Sequence, residues 1–373
     1  MPLIFPEPGV ADPALDVVFV HGLRPLPWMR RREWRFRRGG PAGLWPKSIE
    51  AQVQGIRVGI LTYDSPAFIP FGRAMGLQNT GSAVLDLLAA HGIGERPVLF
   101  VTHSLGGLLI KQVLVTSREA NDKTRSVAEQ CRGVVFLATP HYGAHSAAWA
   151  ARLTGVWSTK ATRTLLPNDE SLVHLGRRYR NWVESHGTVQ HLVLMEDRKT
   201  HGVMVVPNLS ADPRLPDVTV GVINADHNTI AAPKNREDDV YARVKIFIEQ
   251  LAQGAVDDAR AKRAESAARS SRTAMADRFR GLEKEMVSLT VEQNDLDRER
   301  KAAEFHDQAD VEDRIQNRQL AVDDRIVAIE HELGHIPEDI KAEARADDAK
   351  QRSDDATTRA VAHAADWDDH DWG

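Results

Sequence analysis

Residues 98–107 read VLFVTHSLGG and lead into the helix-forming run LLIKQVLV. A serine between a β-branched run and a helical run nearly matches G-x-S-x-G, in which the serine sits on a strained strand-to-helix turn with its hydroxyl above the sheet. Gly106 supplies one of the two small residues that such a turn needs, and Thr102 stands where the other glycine would be. A serine hydroxyl is a weak nucleophile until a base takes its proton. The segment DVTVGVINADHNTI carries Asp226-His227 directly after a late β-branched run, so His227 is the candidate base. HLVLM runs into Glu196-Asp197, and a carboxylate there would hold the imidazole in the tautomer the reaction needs. Glu196 is the first candidate acid and Asp197 the second. The order serine, acid, histidine suits acyl transfer on a parallel sheet. The alternative for Ser104 is a purely structural turn.

An early run ends in Val20-His21-Gly22-Leu23. A turn after an early strand supplies one amide of an oxyanion hole, and the residue after the nucleophile supplies the other; these are Leu23 and Leu105. His21, His103 and His141 are candidate pocket-lining residues. His21 and His103 are expected to be structural, and His141, in Thr139-Pro140-His141-Tyr142-Gly143, either lines the pocket or shapes its wall. Lys111 is expected at a surface or in helix packing.

Strands are predicted at 16–20, 57–63, 97–102, 132–138, 189–195 and 217–223, and helices near 79–91, 105–118, 168–186 and 236–253. Their alternation predicts a mostly parallel central sheet flanked by helices, and the near-continuous apolar strands fit a sheet covered on both faces. Composition changes near residue 254. Met275, Phe279, Leu282, Met286 and Leu289 step by four and three, and Val322, Ile326, Ile329, Leu333 and Ile336 repeat the pattern, as in a coiled coil. The seams could pair as an antiparallel hairpin or dimerise as one long helix; their differing registers favour the hairpin. The expected division is a catalytic domain at 1–253, a charged helical extension at 254–340, and an acidic disordered tail at 341–373, which holds nine acids and five bases.

These residues carry a family resemblance. The segments VVFVHGL with Trp45, ILTYDS, VLFVTHSLGGLLIKQVL, GVVFLATPHYGA, VVPNLSA and ADHNTI, in that order over residues 16 to about 250, resemble the SERAC/PGAP1-like branch of α/β-hydrolases. The pairing of HSLGGLLIK with a following TPHxG is the most specific part. The resemblance implies the α/β-hydrolase fold and carboxylic-ester hydrolysis, often of lipids, through an acyl-enzyme with no metal or organic cofactor. It also favours Glu196 as the acid, because such domains carry one there ahead of a VVP..SA segment. Thr102 departs from relatives that have glycine or another small residue. Two other functions stay open: a hydrolase-fold scaffold with weak or no activity, and an effector switched by assembly of the C-terminal helices.

The 373 residues carry a net charge of −5 and 42% hydrophobic residues, which gives no reason to expect nucleic acid as a partner. No apolar run is long enough to span a bilayer. The N-terminus lacks the pattern of a secretory signal, and the one cysteine, Cys131, suits a reducing compartment, so a cytoplasmic location is expected. Residues 28–38 hold six arginines interleaved with aromatics. They read either as a contact for anionic lipid head groups or an acidic partner, Asp366, Asp368, Asp369 and Asp371 of the tail included, or as a loop packed on the domain. Residues 270–336 are the expected surface for self-association or a protein partner. A cover over the site is sought at 144–168, around Trp149 and Trp157.

Overall fold

The structure is a computed structural model that describes all residues except 7–11, 23–33, 38–42, 64–75, 120–121, 143–169, 201–203, 207, 307–308 and 369–373. It divides into two compact units, residues 1–259 and 260–373.

The first unit is built on a seven-stranded sheet of order β1-β3-β2-β4-β5-β6-β7. The strands are β1 (Leu3–Ile4), β2 (Leu15–Val20), β3 (Ile56–Leu61), β4 (Val98–His103), β5 (Cys131–Leu137), β6 (Gln190–Glu196) and β7 (Val220–Ile223). Only β1 runs antiparallel to its neighbour. The helices are α1 (Trp45–Glu50), α2 (Leu77–Ala90), α3 (Leu105–Glu119), α4 (Asp122–Glu129), α5 (Glu170–His186) and the single turn α6 (Asn208–Ala211). A long helix, α7 (Asp239–Phe305), follows.

Successive strand residues point to opposite faces, and this alternation sorts the core. Val18, Val20, Val98, Phe100, Val134, Phe136 and Val193 pack with α2, α3, α4 and α5. Val17, Phe19, Leu99, Val101, Val135, Leu137 and Leu194 pack with α1 and the start of α7. Both faces are thus buried, which is why the strands read as unbroken apolar runs.

The expected strands agree with these within a residue or two at most ends. β7 begins three residues late because Arg214 and Asp217 take the left-handed φ values of 53° and 59° and interrupt the extended run. β3 ends two residues early, freeing Tyr63 for the site described below. Asp238 caps α7, its carboxylate accepting the Val240 amide at 3.3 Å. The helix then continues through residue 254 without a break.

In the second unit α7 is joined by α8 (Ala309–Gly334) and α9 (Glu338–Asp368). Arg325 clasps Glu285 at 2.7 and 2.9 Å, and Arg318 meets Glu292 at 2.8 Å. Partner numbers fall on one helix as they rise on the other, so α7 and α8 form an antiparallel hairpin over Leu296, Ala303, Ile315 and Val322. The stretch expected as a disordered tail from residue 341 belongs instead, as far as Asp368, to α9. Ile340 and Ala344 are buried. Its acids meet arginines of α7: Arg272 with Asp339 and Glu343 at 3.0 and 2.8 Å, Arg280 with Asp348 at 2.9 Å. Composition alone marks the tail as too acidic to fold by itself; the neutralising charges lie about seventy residues earlier in the chain. Exposed pairs of this kind contribute little singly and act as a network.

Candidate active site

Ser104 stands between β4 and α3 with a φ of 50°, a left-handed value that a non-glycine residue adopts only where its surroundings enforce it. Several groups do. The Ser104 amide donates to the Leu137 carbonyl at 2.9 Å, and the Gly107 amide donates to the Ser104 carbonyl at 3.0 Å. A side chain on Gly106 would meet the carbonyl oxygens of His21 and Val20 at 2.5 and 2.6 Å, and one on Gly107 would meet Thr139 Oγ1 at 2.2 Å. The two glycines therefore let the first turn of α3 settle onto the ends of β2 and β5. Thr102 does not crowd this turn. Its hydroxyl donates to the Val135 carbonyl at 2.7 Å, and the side chain is fully buried.

The elbow brings Ser104 to His227. His227 Nε2 lies 2.9 Å from Ser104 Oγ, and Nδ1 lies 3.3 Å from Glu196 Oε1. The tautomer that fits has Nδ1–H donating to the carboxylate and Nε2 accepting the serine proton. All three residues are buried. Glu196 Oε1 also accepts the Val206 amide at 2.9 Å, which gives the VVPNLSA segment its place in the site. Burial by itself would raise the Glu196 carboxyl; the His227 ring beside it and the hydrogen bonds from His227 and Val206 outweigh burial and hold it below its ordinary value. Asp197, one residue on, is exposed and turns its amide to the Ile223 carbonyl.

The loop carrying His227 is shaped by a reciprocal cap that its sequence shows only as D-x-x-T. Asp226 Oδ1 accepts the amides of Asn228 and Thr229, and Thr229 Oγ1 accepts the Asp226 amide, each at 3.0 Å. Thr200 Oγ1 accepts the His227 amide at 3.0 Å. Neither Thr200 nor the Val206 amide stood out in the sequence, because a partner to one backbone group leaves no pattern.

His21 is held at the end of β2 by hydrogen bonds and a ring contact. Its Nδ1–H donates to the Gly22 carbonyl at 2.7 Å, and its Nε2 accepts the Tyr63 amide at 3.2 Å. The ring stacks on Tyr63 at 4.3 Å, and the Tyr63 hydroxyl donates to the His21 carbonyl at 3.0 Å. A side chain on Gly22 would lie 2.9 Å from Ser104 Cβ, so this turn abuts Ser104. Leu23 lies outside the described residues, as does the expected cover at 144–168. Leu105 opens α3, where a backbone amide has no intrahelical acceptor and the helix dipole favours negative charge. His103 Nε2 donates to the His227 carbonyl at 2.8 Å.

His141 makes its contacts elsewhere. Its ring stands edge-on to Phe136 at 4.8 Å, and its amide donates to the Ser210 carbonyl at 2.8 Å. Burial, with the charge of Lys111 nearby, keeps the ring neutral. Lys111 is not a surface residue; it is buried in the core, with Nζ 5.4 Å from the Phe136 ring and 5.0 Å from the Tyr179 ring. Burial and the Arg180 guanidinium lower it from 10.5 to about 7. The folded chain thus binds fewer protons here than the unfolded chain between about pH 7 and 10.5, so folding stability rises with pH across that window. Lys111→Met should raise stability by on the order of 1–4 kcal/mol near pH 6, with the gain shrinking towards pH 10. Urea denaturation at the two pH values checks this, and a gain independent of pH would contradict it. Burial pushes the Cys131 thiol up to about 12, which leaves it inert.

Of the basic segment 28–38, only Trp34–Arg37 lie among the described residues. Trp34 is buried against Phe19 and Trp45, and Arg37 Nε donates to the Ala232 carbonyl at 2.7 Å. This end is packed on the domain. Of the expected docking between this segment and the tail, residues 28–33, Arg38, Asp369 and Asp371 lie outside the described residues. Among the described residues, no helix is long and apolar enough to cross a membrane, and no three His, Cys, Asp or Glu side chains gather as a metal site.

The chain is similar to protein SERAC1 of Bos taurus, 26% identical over 258 residues, and of Homo sapiens, 26% identical over 262 residues. These alignments take in 62% and 63% of this chain, which spans 38% of the length of each of these relatives. Among solved structures it is similar to phospholipase PlaB from Legionella pneumophila, at 15% identity and a TM-score of 0.45 over 62% of this chain and 58% of that one. It is also similar to a monoacylglycerol lipase from Paleococcus ferrophilus, at 13% identity and a TM-score of 0.36 over 64% and 94%. The model of the Alpha/beta hydrolase family matches residues 17–240. That match runs from the second strand of the sheet to the start of the long helix, more than half of the chain, and the protein belongs to the alpha/beta hydrolase family.

Proposed function

We propose that the protein is a serine-dependent carboxylic-ester hydrolase, of esterase or lipase type, working through an acyl-enzyme. The observation that carries this reading is the buried line of hydrogen bonds from Ser104 Oγ through the two nitrogens of His227 to Glu196. Ser104 Oγ attacks the ester carbonyl while His227 Nε2 takes its proton. Glu196 stabilises the imidazolium so formed, and the developing oxyanion is met by the amides of Leu105 and Leu23. His227 then protonates the departing alcohol, leaving an acyl group on Ser104. Water, activated by the same imidazole, hydrolyses that acyl-enzyme and restores the serine. The steps need no metal or organic cofactor.

The scaffold alternative draws on Thr102; that its hydroxyl donates to the Val135 carbonyl within the sheet supports the active reading. In this proposal contact with an anionic surface falls to residues 28–38 and self-association to the helices of residues 270–336, with the protein working in the cytoplasm. A series of p-nitrophenyl esters from acetate to palmitate tests the reading. Turnover that disappears in Ser104→Ala is expected, and the preferred chain length separates esterase from lipase. No turnover at any length by folded protein, or equal turnover by the variant, would contradict it.

A further inference from the structure

We propose that His103 is a positioning residue, whose Nε2–H grips the main-chain carbonyl of His227 and so sets the reach of the base to Ser104. The inference rests on the serine-hydrolase reading above and extends it to a residue next to the nucleophile.

The strand pleat explains why position 103 can do this. Leu99, Val101 and His103 share one face of β4, and the first two pack in the cluster that also holds Ala225, Ile230 and Ala231 of the base's own loop. The last side chain of β4 on that face is therefore carried to this loop. There it makes a 2.8 Å bond to the His227 carbonyl, with the two imidazoles 5.1 Å apart and tilted by 45°. Both partners are buried, where a hydrogen bond is strengthened and a broken one is costly.

The peptide units flanking His227 are held from two sides, by Thr200 at the amide and by His103 at the carbonyl. The Asp226–Thr229 cap shapes the loop internally but does not tie it to the nucleophile. Of these two restraints, both among the described residues, His103 is the one covalently next to Ser104. One residue thus links the strand that aims the hydroxyl to the backbone that aims the imidazole. Holding that carbonyl requires an N–H at the end of a side chain of this reach, which an imidazole ring offers.

The test compares wild type with His103→Phe, which keeps a planar ring without a donor, His103→Asn, whose donor is too short, and His103→Gln, which can return an N–H. Two readouts are taken: the saturating rate and half-saturation concentration of fluorophosphonate labelling, and amide hydrogen exchange in residues 225–231. In the Phe and Asn variants the saturating rate should fall on the order of 10- to 100-fold, the scale of a small misplacement of reacting groups. The half-saturation concentration should stay near the wild-type value, and exchange in the loop should rise. His103→Gln should recover most of the rate and the protection. Wild-type labelling and exchange in His103→Phe would overturn the proposal, as would a folded Gln variant that recovers neither, since a returned donor would then fail to restore the loop. If wild type takes no label, the serine-hydrolase reading falls and the catalytic half of this inference falls with it; the exchange data still decide whether His103 holds the loop.

Discussion

Ser104→Ala should lower kcat/KM for an activated ester on the order of a million-fold, and His227→Ala should do nearly as much, with the double variant no worse than either. In the proposed mechanism the three groups act as one unit, so removing a second member finds little left to lose. Glu196→Gln should lower the rate on the order of 10³- to 10⁴-fold while leaving the fold intact. The glutamine amide fills the same volume but can donate to Nδ1, which moves the imidazole proton to Nε2 and removes the acceptor that Ser104 needs. Initial rates with p-nitrophenyl butyrate on the four variants measure this. A Glu196→Gln enzyme within a few-fold of wild type would assign the acid elsewhere, although Asp197 lies exposed with its amide on Ile223. The same carboxylate gives a stability signature. Its folded pKa lies below its ordinary 4.5, so its contribution is complete above that value and is lost as pH falls through the folded one. Wild type should therefore lose stability below about pH 4.5, and Glu196→Gln should lose less across that window.

Gly106→Val should be the most destabilising single change near the site. A side chain there meets two backbone carbonyls, at 2.5 and 2.6 Å, that no rotamer change can move aside. Forcing β2 and α3 apart should cost about 3 kcal/mol and lower Tm by roughly 5–10 °C. Activity should fall further than stability alone requires, because the displaced carbonyls belong to the turn that abuts Ser104. Gly254→Ala is the internal control. Nothing lies within 4 Å of a side chain at that helical position, so a gain of about 0.5–1 kcal/mol is expected. Differential scanning calorimetry on both variants decides, and a Gly106→Val protein that melts with wild type would refute the close approach described here.

Much of this arrangement was legible in the residues because local chemistry and chain order agree. The elbow could be read because a strained turn, a helix start and two glycines fall within six positions. His227 could be read, among 15 histidines, because it follows the last strand. Glu196 and Asp197 could not be separated by type; the pleat separates them, turning one carboxylate to the imidazole and the other to solvent. What escaped has a common cause. β1 is two residues long, α1 six, and α4 buries little beyond Val127 and Ala128, so none shows a period. The helical tail depends on arginines of α7, and composition weighed over the tail alone cannot include them. Lys111 reads as either a surface or a helix-packing residue at its position in α3, and only the packing of Phe136 and Tyr179 around it shows that it is buried.

The central claim is that Ser104 is a nucleophile activated by His227. Treating the folded protein with a fluorophosphonate probe and mapping the adduct by peptide mass spectrometry tests it most directly. A single phosphonyl group on the Ser104 side chain is expected, absent in Ser104→Ala and strongly slowed in His227→Ala. An unmodified Ser104 in folded protein, or an adduct on another residue that persists in Ser104→Ala, would contradict it.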